Sequence, residues 1–252
     1  MPLRGGRPLY SDAMRTGDGV FETLRMVDGV PFALTRHLRR MADSAAALGL
    51  PEVVVDDVRE QVLREVAEAG GGVAPVARLR LLWSAGGLQV AHSELPPADG
   101  ALHVRTTSWR RSRGAGAGGH KSTDYVDNLV ALREAVAAGA DEVLLADSGG
   151  NLAEGSATNV FYVVGGELRT PSLVTGCLPG ITRALVLEWV GAREVEEPLG
   201  VLEEAEEVFL TSSTREVQAV ASCDAWTYAA PGPLTTEVVR TFAARRDAQL
   251  DP

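Results

Sequence analysis

Lysine is almost missing from this chain. Lys121 is the only one in 252 residues, beside 23 arginines. Arginine therefore does the ordinary surface work, and a solvated positive charge at position 121 has no need of lysine. An amine can do what guanidinium cannot. It loses its proton near neutral pH when buried or set beside another cation, and it then attacks a carbonyl to form a Schiff base. The plainer alternative is a surface lysine at the end of a glycine-rich loop. Aromatic residues make up only 5% of the chain against 45% hydrophobic residues overall, so the core is built from Ala, Val and Leu. Two cysteines, Cys177 and Cys223, give neither a disulfide framework nor a metal-ligand spacing. Four scattered histidines, His37, His92, His103 and His120, give a metal site little support. No apolar run is long enough to span a bilayer. The start, Met1-Pro2-Leu3-Arg4-Gly5-Gly6-Arg7, lacks the apolar segment of a secretory signal, so the expected compartment is the cytoplasm. A net charge of −10 argues against a nucleic-acid surface, while local arginine clusters leave anionic small substrates open.

What is present reads as alternating strands and helices. Gly17-Asp18-Gly19 is a turn, and Val20–Val27 is a strand with Val20, Glu22, Leu24 and Met26 on one face. Asp28-Gly29 is a hairpin signal, returning through Val30–Leu34. Leu38, Met41, Ala42, Ala45 and Leu48 recur at helical spacing over Arg36–Leu48, with Arg40 off that stripe. Asp56 starts a second helix that Gly70-Gly71-Gly72 ends. Ala77–Trp83 alternates as a strand, and Leu102 with Val104 marks another. The run Gly114–Gly119 is the best linker candidate, which places domains at 1–113 and 121–252 with a linker at 114–120. Beyond it follow a helix over Val126–Ala138, a buried strand over Glu142–Asp147, a strand into Glu154 and a hairpin over Asn159–Thr170. A helix opens at Gly180-Ile181-Thr182, Val208–Thr211 is a strand, and a last helix covers Thr236–Ala248. Hairpins outnumber strand–helix–strand crossovers, so the class is α+β.

Several chemistries compete. Gly114–Ser122 has the look of a phosphate loop, but the Walker pattern needs glycines where His120 and Ala115 stand. No Gly-x-Ser-x-Gly elbow is present. Ser212-Ser213-Thr214 is either a polar strand end or an anion-binding cluster. Gly180-Ile181-Thr182 is either a plain helix start or a set of N–H groups facing a phosphate. Glu154, crowded by Gly155 and small residues, either faces solvent or pairs with something.

Taken together, Lys121-Ser122-Thr123-Asp124-Tyr125, Gly139–Leu144, Glu154-Gly155-x-x-x-Asn159-Val160-Phe161, Thr170-Pro171 and Leu178–Arg183 resemble the fold-type IV pyridoxal-phosphate enzymes. These are the class IV aminotransferases and aminodeoxychorismate lyases. Gly17–Thr23 and His37–Met41 fit too, and the likeness covers about residues 17–220. The resemblance implies a two-domain, D-amino-acid aminotransferase-like fold: an N-terminal α/β sandwich, a C-terminal barrel-like domain, and pyridoxal 5'-phosphate in the cleft. It implies Lys121 as the Schiff-base residue and proton shuttle, and Glu154 on the pyridine nitrogen. Arg40, Ile181, Thr182, Ser213 and Thr214 would bind the phosphate, Tyr125 the ring oxygen, and Asn159 would support Glu154. A homodimer is expected. The segment Ser84–His92, expected as a short loop after the Ala77–Trp83 strand, lacks the arginine that such enzymes use for substrate carboxylates. Arg25, Arg111 or a partner subunit are the replacements considered. The expected reaction is cleavage of 4-amino-4-deoxychorismate to 4-aminobenzoate and pyruvate, with transamination of branched-chain or D-amino acids as the alternative.

Overall fold

The structure, a computed structural model, describes residues 19–69, 76–98, 100–111 and 119–252. The expected turn at Gly17-Asp18, the glycines 70–72 and the linker glycines up to 118 lie outside the described residues. The chain forms two compact units. One holds the described residues up to Pro96 together with His120–Tyr125 and Leu250–Pro252; the other holds those from Pro97 to Gly119 and Val126–Gln249.

In the first unit β1 (Gly19–Val27) turns at Asp28-Gly29 into β2 (Val30–Pro31). Both turn residues have positive φ, 49° and 80°, as a tight hairpin between twisted strands requires. α1 (Leu34–Ala47) and α2 (Val55–Ala69) follow, then β3 (Val76–Ser84) and β4 (Gly87–Glu94). The sheet order is β2-β1-β3-β4, antiparallel throughout. Strand alternation decides the faces. Val20, Leu24, Met26, Leu79 and Leu81 pack against Leu38, Met41, Val58 and Val62 of the helices. The other face carries Phe21, Thr23 and Arg25, opposite Leu82, Arg80 and Arg78.

Ser84–His92 is not a loop. A two-residue turn at Ala85-Gly86 leads straight into β4, because Leu88 and Val90 alternate into the core beside Trp83. The chain's last residues also belong here. Asp251 Oδ1 accepts from Thr35 N at 2.8 Å, supplying the cap that α1 lacks locally.

The second unit contains β5 (Leu102–Arg111), α3 (Val126–Ala137), β6 (Glu142–Asp147), β7 (Leu152–Gly155), β8 (Asn159–Val164) and β9 (Glu167–Pro171). After these come α4 (Ile181–Trp189), β10 (Arg193–Val195), β11 (Glu207–Ser212), β12 (Glu216–Cys223), β13 (Trp226–Thr227) and α5 (Pro233–Ala248). The sheet runs β10-β9-β8-β11-β12-β5-β6-β7, with β13 on β12. Its two ends approach each other. Asn151 bridges to Pro198 just beyond β10, and Leu152 N donates to Glu197 O at 2.9 Å. The sheet therefore curls toward closure, and its inside is filled by Val104, Leu144, Leu152, Val160, Tyr162, Leu210 and Val220. This is the α+β, barrel-like layout expected from the sequence.

The contacts divide the chain differently from the expected boundary at 114–120. β5 pairs with β6 and β12 and so joins the second unit, whereas Lys121 and its neighbours are hydrogen-bonded along β1 in the first.

Candidate active site

Lys121 extends the first unit's sheet. Phe21 N donates to Lys121 O at 2.9 Å, Thr123 N donates to Gly19 O at 2.8 Å, and Val20 bridges to Ser122. These bonds occupy the edge of β1 beyond the reach of the short β2. The residue is only 9% exposed, so the surface-lysine alternative fails. Its Nζ lies 4.6 Å from the Phe21 ring centre and 5.7 Å from that of Tyr125, and the two rings meet edge-on at 5.6 Å. Arg80 stacks on the same Phe21 ring, its Cζ 4.0 Å from the centre. The alternation of β1 and β3 places Arg25 on this sheet face, opposite Arg78.

Arg40 is buried, although it falls off the apolar stripe of α1. The reason is Glu22. Its carboxylate accepts from Arg40 Nε at 2.8 Å and Nη2 at 2.6 Å, and it lies 2.6 Å from His37 Nδ1. Burial alone pushes the Glu22 carboxyl up, but Arg40 and His37 together bring it down to about 2. Burial lowers the His37 pKa in spite of Glu22, so the ring is neutral and Nδ1–H donates a hydrogen bond. Glu22 and His37 are absent from the sequence-derived candidates. The available signal was the alternation that set a carboxylate among Val20, Leu24 and Met26 on an apolar face.

In the second unit Glu154, on β7, is buried. Its Oε1 lies 2.7 Å from Arg111 Nε, and its Oε2 accepts from Leu178 N at 2.9 Å. Arg111, considered for substrate binding, is thus engaged by Glu154. Its Nη1 also reaches Asn128 Oδ1 at 3.4 Å, and Asn128 Nδ2 donates to Ser156 O at 2.6 Å. Ser156 is pinned in turn, its N and Oγ donating to Glu142 Oε1 at 3.1 and 2.5 Å. Both cysteines are free and buried. Burial, with the Glu154 charge beside it, pushes the Cys177 thiol up to about 11, so it is not a ready nucleophile.

Asn159 begins β8 and donates from Nδ2 to Leu178 O at 2.9 Å. Its Oδ1 lies 2.0 Å from where a Cβ on Gly180 would be, so any larger residue there must push the Asn159 side chain aside. Gly180 precedes α4 and offers no side-chain cap to Ile181 and Thr182. Thr211, facing Asn159 across β11 and β8, has a buried Oγ1 with no hydrogen-bond partner among the described residues, as has Thr158. Ser213 and Thr214 lie in the turn that follows β11. Uncapped helix N–H groups beside hydroxyls form a donor set suited to a phosphate.

A family model described as amino-transferase class IV matches residues 19–223. The chain belongs to the class IV aminotransferases. The fold IV-transaminase of Curtobacterium pusillum is 32% identical to it, with a TM-score of 0.82 over 91% of this chain and 87% of that one. The branched-chain-amino-acid aminotransferase of Pseudomonas aeruginosa is 29% identical over 93% of this chain and 86% of its own. A Legionella pneumophila structure described as a "Putative 4-amino-4-deoxychorismate lyase" matches with a TM-score of 0.82 over 92% and 91%, at 24% identity, which speaks for the fold alone. As a class IV member, the chain is a pyridoxal-phosphate-dependent enzyme. The residues fit that group: a buried amine, a buried carboxylate, an uncapped helix start, and hydroxyls without a partner among the described residues. Among the described residues no helix is long and apolar enough to cross a membrane, and no cluster of His, Cys, Asp and Glu could hold a metal ion.

Proposed function

We propose that this enzyme is a transaminase moving an amino group between an amino acid and a 2-oxo acid, with Lys121 as the covalent anchor of pyridoxal phosphate. The observation that carries this is the chain's single amine, buried against Phe21 and Tyr125. The choice of transamination follows the relatives of 29% and 32% identity that bear that name. Bound pyridoxal phosphate supplies an aldehyde for the amine and an electron-withdrawing ring beside the substrate Cα.

The chain's own residues do the rest. Lys121 Nζ takes the proton from the substrate Cα and returns it, and the two rings restrict the path of its side chain. Glu154, facing Arg111, would accept a hydrogen bond from the ring nitrogen. Ile181 and Thr182 N–H groups, with Ser213 and Thr214, hold the phosphate. Arg40 joins them, its guanidinium plane fixed by Glu22. Asn159 keeps Gly180 and Leu178 in place, and Tyr125 donates to the ring oxygen. The reading carries with it a homodimer in the cytoplasm.

Cleavage of 4-amino-4-deoxychorismate is a second reading. Three arginines, Arg25, Arg78 and Arg80, share one face of the first sheet by register, and that substrate carries two carboxylates. One assay tests both. The purified enzyme is incubated with each amine, with and without a 2-oxo acid. Transamination needs the acceptor; cleavage releases pyruvate without one. Pyruvate release from aminodeoxychorismate alone, with no turnover of any amino acid, would replace the first reading by the second.

A further inference from the structure

Arg215 takes no part in the site described so far. It lies in the turn between β11 and β12, directly after Ser213 and Thr214. Its Nη1 is buried and has no hydrogen-bond partner among the described residues. The adjacent carboxylate does not compensate it. Glu216 is turned to α5, where both its oxygens accept from Arg246 Nη1 at 2.7 and 2.6 Å. Glu216 also holds a left-handed backbone, φ 59°, which a non-glycine residue keeps only when its surroundings impose it. The Arg246 pair holds the Glu216 side chain against α5. A desolvated guanidinium nitrogen with no acceptor is unfavourable unless an anion comes to it.

Two anions meet a transaminase site: the cofactor's phosphate and the substrate's carboxylate. The uncapped start of α4 already suits the phosphate. Of the holders considered for the carboxylate, Ser84–His92 contains no arginine and forms β4, Arg111 is engaged by Glu154, and Arg25 lies on the first unit's sheet opposite Arg78. A planar guanidinium matches a carboxylate with two parallel hydrogen bonds. We propose that Arg215 binds the carboxylate of the amino-acid or 2-oxo-acid substrate, an assignment that rests on the function proposed above.

The test uses wild-type, Arg215→Gln and Arg215→Lys holoenzymes. Calorimetry measures binding of 4-methylpentanoate, which has a carboxylate but no reactive amino or oxo group, and of its uncharged amide. Melting temperature and borohydride-fixed pyridoxyl label at Lys121 are measured on the same samples. The expected result is carboxylate affinity weakened roughly 10- to 100-fold in Arg215→Gln, partly restored in Arg215→Lys, with amide binding, label and melting temperature unchanged. In kinetics the substrate KM rises far more than kcat falls. Carboxylate binding equal to wild type in Arg215→Gln overturns the proposal. So does loss of pyridoxyl label with carboxylate binding kept, which would assign Arg215 to the phosphate. A lower melting temperature with both ligands weakened overturns it in favour of a structural role, and wild-type enzyme that ignores 4-methylpentanoate overturns it as well. Missing label at Lys121 in the wild type counts instead against the functional reading, and the titration still judges Arg215.

Discussion

Glu22 and Glu154 are both buried carboxylates on strands, each facing an arginine, yet they differ in what surrounds them. Glu22 is held by Arg40 and His37, all three inside the first unit and next to the segment that carries Lys121. Glu154 meets Arg111 and accepts from Leu178 N, and the second unit adds an uncapped helix and, close to Asn159, hydroxyls with no partner among the described residues. The first arrangement looks inward, satisfying its own charge so that the Arg40 guanidinium stays fixed. The second is left with donors that an anion would complete. A cofactor-dependent enzyme needs both kinds of region, one rigid without the ligand and one finished by it.

The largest effect that separates them is Lys121→Arg. Guanidinium stays protonated and can neither attack an aldehyde nor take a Cα proton, so activity falls on the order of 10³-fold or more. The melting temperature stays close to wild type, since the backbone bonds to β1 remain. An active, folded variant would remove the distinction between the regions. Next is Glu154→Gln, expected to keep the cofactor but lose roughly 10²-fold in turnover, because a neutral amide cannot hold a ring proton by charge. Steady-state rates with absorbance spectra check it.

Smaller effects sharpen the contrast. Arg111→Met strands the Glu154 charge and costs about 3 kcal/mol by denaturant unfolding, and pairing it with Glu154→Gln recovers much of that loss. Acid should weaken the first unit in two stages. The unfolded chain protonates His37 from its ordinary value of 6.5 downward while the folded chain resists, so stability falls as pH drops below 6.5. Glu22 adds a second loss as pH falls from 4.5 toward about 2, the window between its unfolded and folded values. His37→Gln should abolish the first stage in a melting series and leave the second. The smallest expected effect is Gly180→Ala. Its Cβ would come 2.0 Å from Asn159 Oδ1 and push that buried side chain aside, costing about 1 kcal/mol of stability and weakening cofactor affinity several-fold, read by denaturant unfolding and by fluorescence titration of the apoenzyme.

Composition alone singled out Lys121, because one lysine among 23 arginines stands apart from the residue type that covers the surface. Local pattern placed most strands and helices, and the spacing of Glu154, Asn159 and Gly180-Ile181-Thr182 carried the family. The hairpin at Asp28-Gly29 was legible because two residues set its backbone. β4 was not, since two glycines before Leu88 and Val90 read as loop until β3 lay alongside. Charge partners were the least legible. Arg111 meets Glu154 only because β5 runs parallel to β6 and β6 antiparallel to β7, and Arg40 is buried only because β1 turns Glu22 toward α1. The sequence by itself determined which groups could react and which stretches were strand or helix, for these depend on side-chain chemistry and near neighbours. Which charge faces which was decided by the tertiary structure, because a burial cost is met by whatever the strand register brings within about 3 Å, and register is a long-range property.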